Sequence, residues 1–137
     1  MRRFFLRCRF GSSDLVSPPE ILNLTIEILH LPTALISVDT FLAPVAAAAL
    51  EAGASWINDI SGGRRDPDLL RVVADAGCPV VLMHSRGDSK TMDQLTDYSD
   101  VVDEVRRGLM ESSDAAVQAG VDQTQIIWDP GLGFAKT

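Results

Sequence analysis

The fold is decided by Leu35–Ile60, LISVDTFLAPVAAAALEAGASWINDI, which reads as strand, loop, helix, strand. Leu35-Ile36-Ser37-Val38 is a short apolar run that stops on Asp39. Ala43–Glu51 is an alanine-rich helix with Pro44 in its first turn, where a missing N–H costs little. Gly53 closes that helix, as glycine does at a C-terminal cap. Trp56-Ile57 opens a second apolar run that stops on Asn58-Asp59. Two buried strands therefore each end in a short polar side chain. In a parallel α/β sheet or barrel, that edge is where ligands sit.

The same grammar continues downstream. Asp66-Pro67 starts a helix with Leu69, Leu70, Val73 and Ala74 on one face, and Gly77 ends it. Val80–His84 is the next strand, and it opens into a polar loop, Ser85–Thr91. A long helix is expected from about Ser99 to Gln118, with Val102, Val105, Leu109 and Ala116 facing inward. Gln125–Asp129 is a further strand, followed by Pro130–Thr137. Upstream, Glu20–His30 carries Ile21, Leu24 and Ile28 at helical spacing before Pro32. Alternating strands and helices imply a parallel sheet with right-handed crossovers. The pattern is α/β, a partial (β/α)8 TIM barrel of about four consecutive β/α units, since a complete barrel takes about 250 residues.

Composition narrows the function. The chain has 137 residues, 46% of them apolar, and a net charge of -7. That charge leaves no basic surface for nucleic-acid phosphates, so no nucleic-acid partner is expected. No apolar run is long enough to span a membrane, so no membrane partner is expected and a cytoplasmic location is. Arg2, Arg3, Arg7 and Arg9 make Met1–Phe10 unlike the rest; it reads as a basic tail that packs little, or as a short targeting sequence without a proper apolar core. Cys8 and Cys78 lack metal-ligand spacing, and Cys78, just before Pro79 and a strand, suits a buried reduced thiol.

Asp39, Asn58 and Asp129 each end a strand, so in a barrel they converge on one mouth. Two carboxylates and an amide can hydrogen-bond a flat nitrogen heterocycle. Asp39 and Asp129 equally suit caps of the turns that follow them. Met83 and Phe134 can wall such a ring, although a methionine at a strand end also suits plain core. His84 fits an acid, a ligand, an orienting group or a structural residue. Arg64, Arg65, Arg86 and Lys90 occupy loops at the same mouth, as anion contacts or as solvated surface. Gly87–Thr91 lacks the glycine spacing of a Walker motif.

These residues carry a resemblance. Ser37-Val38-Asp39-Thr40, Ile57–Gly63, Leu82-Met83-His84 with Arg86-Gly87, and Asp129–Thr137 resemble the dihydropteroate synthase family in order and spacing, over about residues 12–137. The resemblance implies an alkyl-transferring enzyme of folate biosynthesis. It condenses 6-hydroxymethyl-7,8-dihydropterin pyrophosphate with p-aminobenzoate, releasing pyrophosphate and forming dihydropteroate. It also implies pterin binding by Asp39, Asn58 and Asp129, with Ile60, Met83, Gly133 and Phe134 lining the pocket. Asp39 and Asp129 then take the catalytic role of favouring positive charge on the ring. Mg2+ is the implied cofactor, and homodimers the implied assembly.

The departures are equally specific. Nothing in residues 1–34 matches the family's metal-holding asparagine, so no metal ligand is assigned in this chain. The Ser-Arg-Lys and Arg-x-His motifs have no counterpart up to Thr137. Residues 1–10 are therefore expected as an unmatched basic tail and residues 11–137 as a partial pterin-binding domain. Alone, this central portion is expected to be inactive, and to leave Leu35–Asp39 and Ile126–Asp129 as open edges. A methyltetrahydrofolate-binding methyltransferase and a non-catalytic pterin-binding module remain the alternatives.

Overall fold

The computed structural model describes residues 3–6, 35–87 and 95–136. Its sheet has five strands, β1 (Arg3–Leu6), β2 (Leu35–Asp39), β3 (Trp56–Asp59), β4 (Val80–Met83) and β5 (Ile126–Asp129). All neighbours are parallel, and their order across the sheet is their order in the chain. A doubly wound sheet reverses its strand order part-way; this one does not, so it is an arc of a barrel wall.

Helix α1 (Ala43–Glu51) connects β2 to β3, α2 (Asp68–Ala76) connects β3 to β4, and α3 (Val101–Gln118) connects β4 to β5. The expected helix at Glu20–His30 lies outside the described residues. Helix α1 buries Ala43, Val45, Ala46 and Ala49, whose small side chains let it lie close to the sheet. Helix α2 buries Leu69, Leu70 and Val73 and ends at Gly77, which adopts φ 61°, a left-handed conformation that costs glycine little. Helix α3 starts at Asp100, whose carboxylate accepts from the Asp103 amide at 3.0 Å.

The core lies between the sheet and these helices. Val38, Ile57 and Val80 pair in register across β2, β3 and β4, and each is fully buried. Registered partners in a parallel sheet point to the same face, and side chains two apart along a strand share it. Ile36 and Leu82 therefore join that face, where α1 and α2 pack. Burying a leucine or isoleucine in this way stabilises the fold by roughly 1.5–3 kcal/mol each.

Three expectations need correction. Met1–Phe10 does not stand wholly apart as a tail, because Arg3–Leu6 pairs with Leu35–Val38 as β1. For the same reason β2 is not an edge; it is paired on both sides, and backbone pairing overrode a composition unlike the rest. Val102 is not inward-facing but 75% exposed. The buried stripe of α3 is Val105, Leu109, Ser112 and Ala116. Glu104 pairs with Arg86, just past β4, so the first turn of α3 is fastened near the end of that strand while Val102 faces outward. At the other edge β5 carries half-exposed Ile127 and Trp128.

Candidate functional site

Strand register assembles the site. Asp39 on β2 is level with Asn58 on β3, and the Asn58 Nδ2 donates to Asp39 Oδ1 at 2.6 Å. Asn58 is level with Val81 on β4, two residues before Met83. Met83 is level with Asp129 on β5. By the two-residue period, Asp39, Asn58, Met83 and Asp129 all lie on one face of the sheet, the face away from the helices. Met83 is 2% exposed there, and Asp39, Asn58 and Asp129 are half-buried.

The turns after these strands supply the rest. Ile60 is half-buried in the turn after β3, directly beyond Asn58 and Asp59. Gly133 and Phe134 lie in the turn after β5, where the Phe134 amide donates to the Gly131 carbonyl at 3.0 Å. Asp129 has a capping role as well as a place on the face: its Oδ1 accepts from the Gly131 amide at 2.7 Å. Gly131 itself is forced by a close approach, since at φ 67° any Cβ would run into the His84 carbonyl oxygen.

Asp59, one residue past Asn58, points the other way. It is level with Leu82 and fully buried on the helix side. Its two oxygens accept from the Ser61 amide at 2.7 Å and the Gly63 amide at 2.6 Å. Burial pushes its pKa above the ordinary carboxylate value, while the Ser61 and Gly63 hydrogen bonds and the Arg64 charge pull against that rise. This aspartate shapes its own turn, and register puts it on the face opposite Asn58, which the resemblance singles out.

His84 is also turned towards the helices. A Cβ on Gly108 of α3 would meet its imidazole at 2.7 Å, so the ring lies directly on that helix. Burial, followed by the charges of Lys136, Arg64 and Arg86, holds its pKa below the usual histidine value. A structural role fits this placement, and an acid on the carboxylate face does not.

Of the loop cations, Arg86 is committed locally. It pairs with Glu104, donates to the Asp97 carbonyl at 2.7 Å and lies 3.9 Å from the centre of the Tyr98 ring. Arg64 donates to the Ser85 carbonyl at 2.9 Å and hydroxyl at 3.1 Å, tying the loops after β3 and β4. Arg65 stands 5.2 Å over the Phe41 ring. Both Arg64 and Arg65 are exposed. Lys90 lies outside the described residues. Lys136, which composition does not single out, is half-buried beside the same loops. Cys78 is buried, which pushes its thiol pKa up.

Among the described residues no group of three or more His, Cys, Asp or Glu side chains converges to cage a metal. None of the described helices is long and apolar enough to cross a membrane. A cavity of about 470 Å³ lies beside Tyr98, Asp100 and Lys136, at the loop before α3 and not over the Asp39–Asn58 pair.

The family model for pterin binding enzymes matches residues 11–137. Dihydropteroate synthase of Synechocystis is 50% identical over 102 residues, which are 74% of this chain and 35% of that protein. Dihydropteroate synthase of Xanthomonas albilineans with 4-aminobenzoic acid superposes with a TM-score of 0.79 at 38% identity, covering 97% of this chain and 49% of the other. The same enzyme in complex with 7,8-dihydropteroate gives a TM-score of 0.77 at 38% identity, covering 97% and 48%. The chain thus spans about a third of the length of the curated relative and about half of the solved chains.

Proposed function

The chain belongs to the pterin binding enzyme family, and from that membership we propose that it is the pterin-recognising arc of a dihydropteroate synthase. Within a complete barrel it serves the condensation of 6-hydroxymethyl-7,8-dihydropterin pyrophosphate with p-aminobenzoate. The observation that carries this reading is the single face shared by Asp39, Asn58, Met83 and Asp129.

Each group has a role that its chemistry allows. Asp39 and Asp129 accept N–H donors of the pterin, and the Asn58 amide, held by Asp39, presents both a donor and an acceptor. The Met83 thioether and the Phe134 ring supply apolar contact to a flat heterocycle. When pyrophosphate leaves, positive charge develops at the pterin methylene and spreads into the ring. Two carboxylates already fixed at the ring stabilise that charge without reorganising. The amine of p-aminobenzoate then forms the new C–N bond and loses its proton. Arg64 and Arg65, exposed in the loop after β3, are the described cations placed to meet anionic substrate groups. The 137 residues alone are expected to bind the pterin without turning it over.

The test places residues 11–137 in a barrel completed with the remaining strands of a relative and assays dihydropteroate formation with Mg2+. Product is expected, with Asp129→Asn lowering kcat/KM by about 100-fold. A well-folded chimera that made no product would overturn the reading.

A further inference from the structure

Lys136 is held in an unusual way for a lysine at the edge of a site. Its Nζ donates to three backbone carbonyls: His84 at 3.2 Å, Gly131 at 3.1 Å and Phe134 at 2.9 Å. An ammonium has three N–H donors, so all three are engaged with protein. His84 follows β4, whereas Gly131 and Phe134 belong to the turn after β5. The side chain therefore ties the turn after β5 to the end of β4. Burial lowers the Lys136 pKa, and the nearby Asp129 charge opposes that shift.

The turn is one that needs holding. Gly131, Gly133 and Ala135 have φ values of 67°, 86° and 54°. Ala135 is the described non-glycine residue with positive φ, and such backbone costs on the order of 1–3 kcal/mol unless its surroundings impose it. Ala135 is also 2% exposed, adjacent to the lysine. The same turn begins at Asp129 and carries Phe134.

We propose that Lys136 is a positioning residue: its ammonium, cradled by three carbonyl oxygens, sets the turn that brings Asp129 and Phe134 to the open face. The proposal rests on the pterin-binding reading for its functional consequence, but the cradle itself does not. With every donor engaged, the ammonium does not contact the ligand; it acts through the turn. A guanidinium is planar and directs its donors in a fork, so arginine does not reproduce three converging bonds.

The experiment uses the whole 15N-labelled chain with Lys136→Ala, Lys136→Met and Lys136→Arg. Amide exchange of Gly131, Phe134 and Ala135 is read alongside fluorescence titration with 6-hydroxymethyl-7,8-dihydropterin. All three variants are expected to exchange faster in the turn and to bind the pterin about 10- to 100-fold more weakly. Amides on the helix side, such as Val73 and Leu82, report that each variant is folded. Propylammonium replaces the atoms missing in Lys136→Ala and is expected to restore both readouts, whereas tetramethylammonium, without N–H donors, restores neither. Wild-type turn exchange in Lys136→Met, or wild-type pterin affinity in Lys136→Arg, would overturn the proposal. So would a folded Lys136→Ala protein that propylammonium leaves unchanged. If the wild-type chain bound no pterin, the functional reading would fail while the exchange and rescue still decided the cradle.

Discussion

Asp59 and Asp129 are both aspartates that end a strand and precede a glycine turn, yet they serve opposite ends. Asp59 lies on the helix side, fully buried, with both oxygens given to the amides of its own turn. Asp129 lies on the opposite side, half-buried, with one oxygen accepting from the Gly131 amide. One step in register separates a carboxylate on the helix side from one on the opposite face. The helix-side face stores the stability of the fold, and the other face carries polar groups that a packed core would not tolerate unpaired.

That division predicts a gradient of stability effects. The largest belongs to Leu82→Ala, since Leu82 is fully buried in the core on the helix side. About 2–5 kcal/mol of unfolding free energy should be lost in urea titrations. Asp59→Ala comes next: it strands the Ser61 and Gly63 amides, and a loss of about 2 kcal/mol is expected by the same measurement. Were Asp59→Ala as stable as the parent, the helix-side carboxylate would not be structural and the contrast would collapse.

A smaller effect follows from His84. Its folded pKa lies below the ordinary 6.5, so the unfolded chain binds the proton more readily. The contribution to stability is therefore present above about pH 6.5 and lost as pH falls below it, because stability rises with pH where the unfolded state holds more protons. Thermal midpoints measured from pH 7.5 down to pH 5.5 should fall less steeply in His84→Asn than in the parent. An identical slope would remove His84 from the buried side. The smallest stability effect is expected of Asp39→Asn, which keeps a side-chain oxygen for Asn58 Nδ2. Its change should stay within about 0.5 kcal/mol, while pterin affinity falls. A variant that lost stability but kept its affinity would reverse the assignment of the two faces.

Much of this was legible in the sequence, for physical reasons that also mark where legibility stops. Parallel strands buried on both faces read as apolar runs, so β2 to β5 and their polar ends at Asp39, Asn58 and Asp129 stood out. Which of Asn58 and Asp59 faces the site is a matter of register, and register is a property of strand pairs. β1 was missed because Arg3–Leu6 is short and set in a basic segment, and its partner begins at Leu35. Lys136 was missed because its partners are backbone carbonyls, which have no side-chain signature. Likewise, Asp66 reads as a cap for α2, but its second oxygen also accepts from the Ala43 amide at 2.8 Å, fastening the start of α1. Only the folded arrangement brings Ala43 there.

The central claim is that the face bearing Asp39, Asn58, Met83 and Asp129 receives the pterin. It is tested most directly by titrating the 15N-labelled chain with 6-hydroxymethyl-7,8-dihydropterin and following amide chemical shifts. The account predicts saturable shifts at Asp39, Asn58, Met83 and Asp129, with Leu69 and Val73 of α2 unmoved. Shifts confined to Tyr98, Asp100 and Val101, around the cavity before α3, would contradict it, as would a spectrum that does not change.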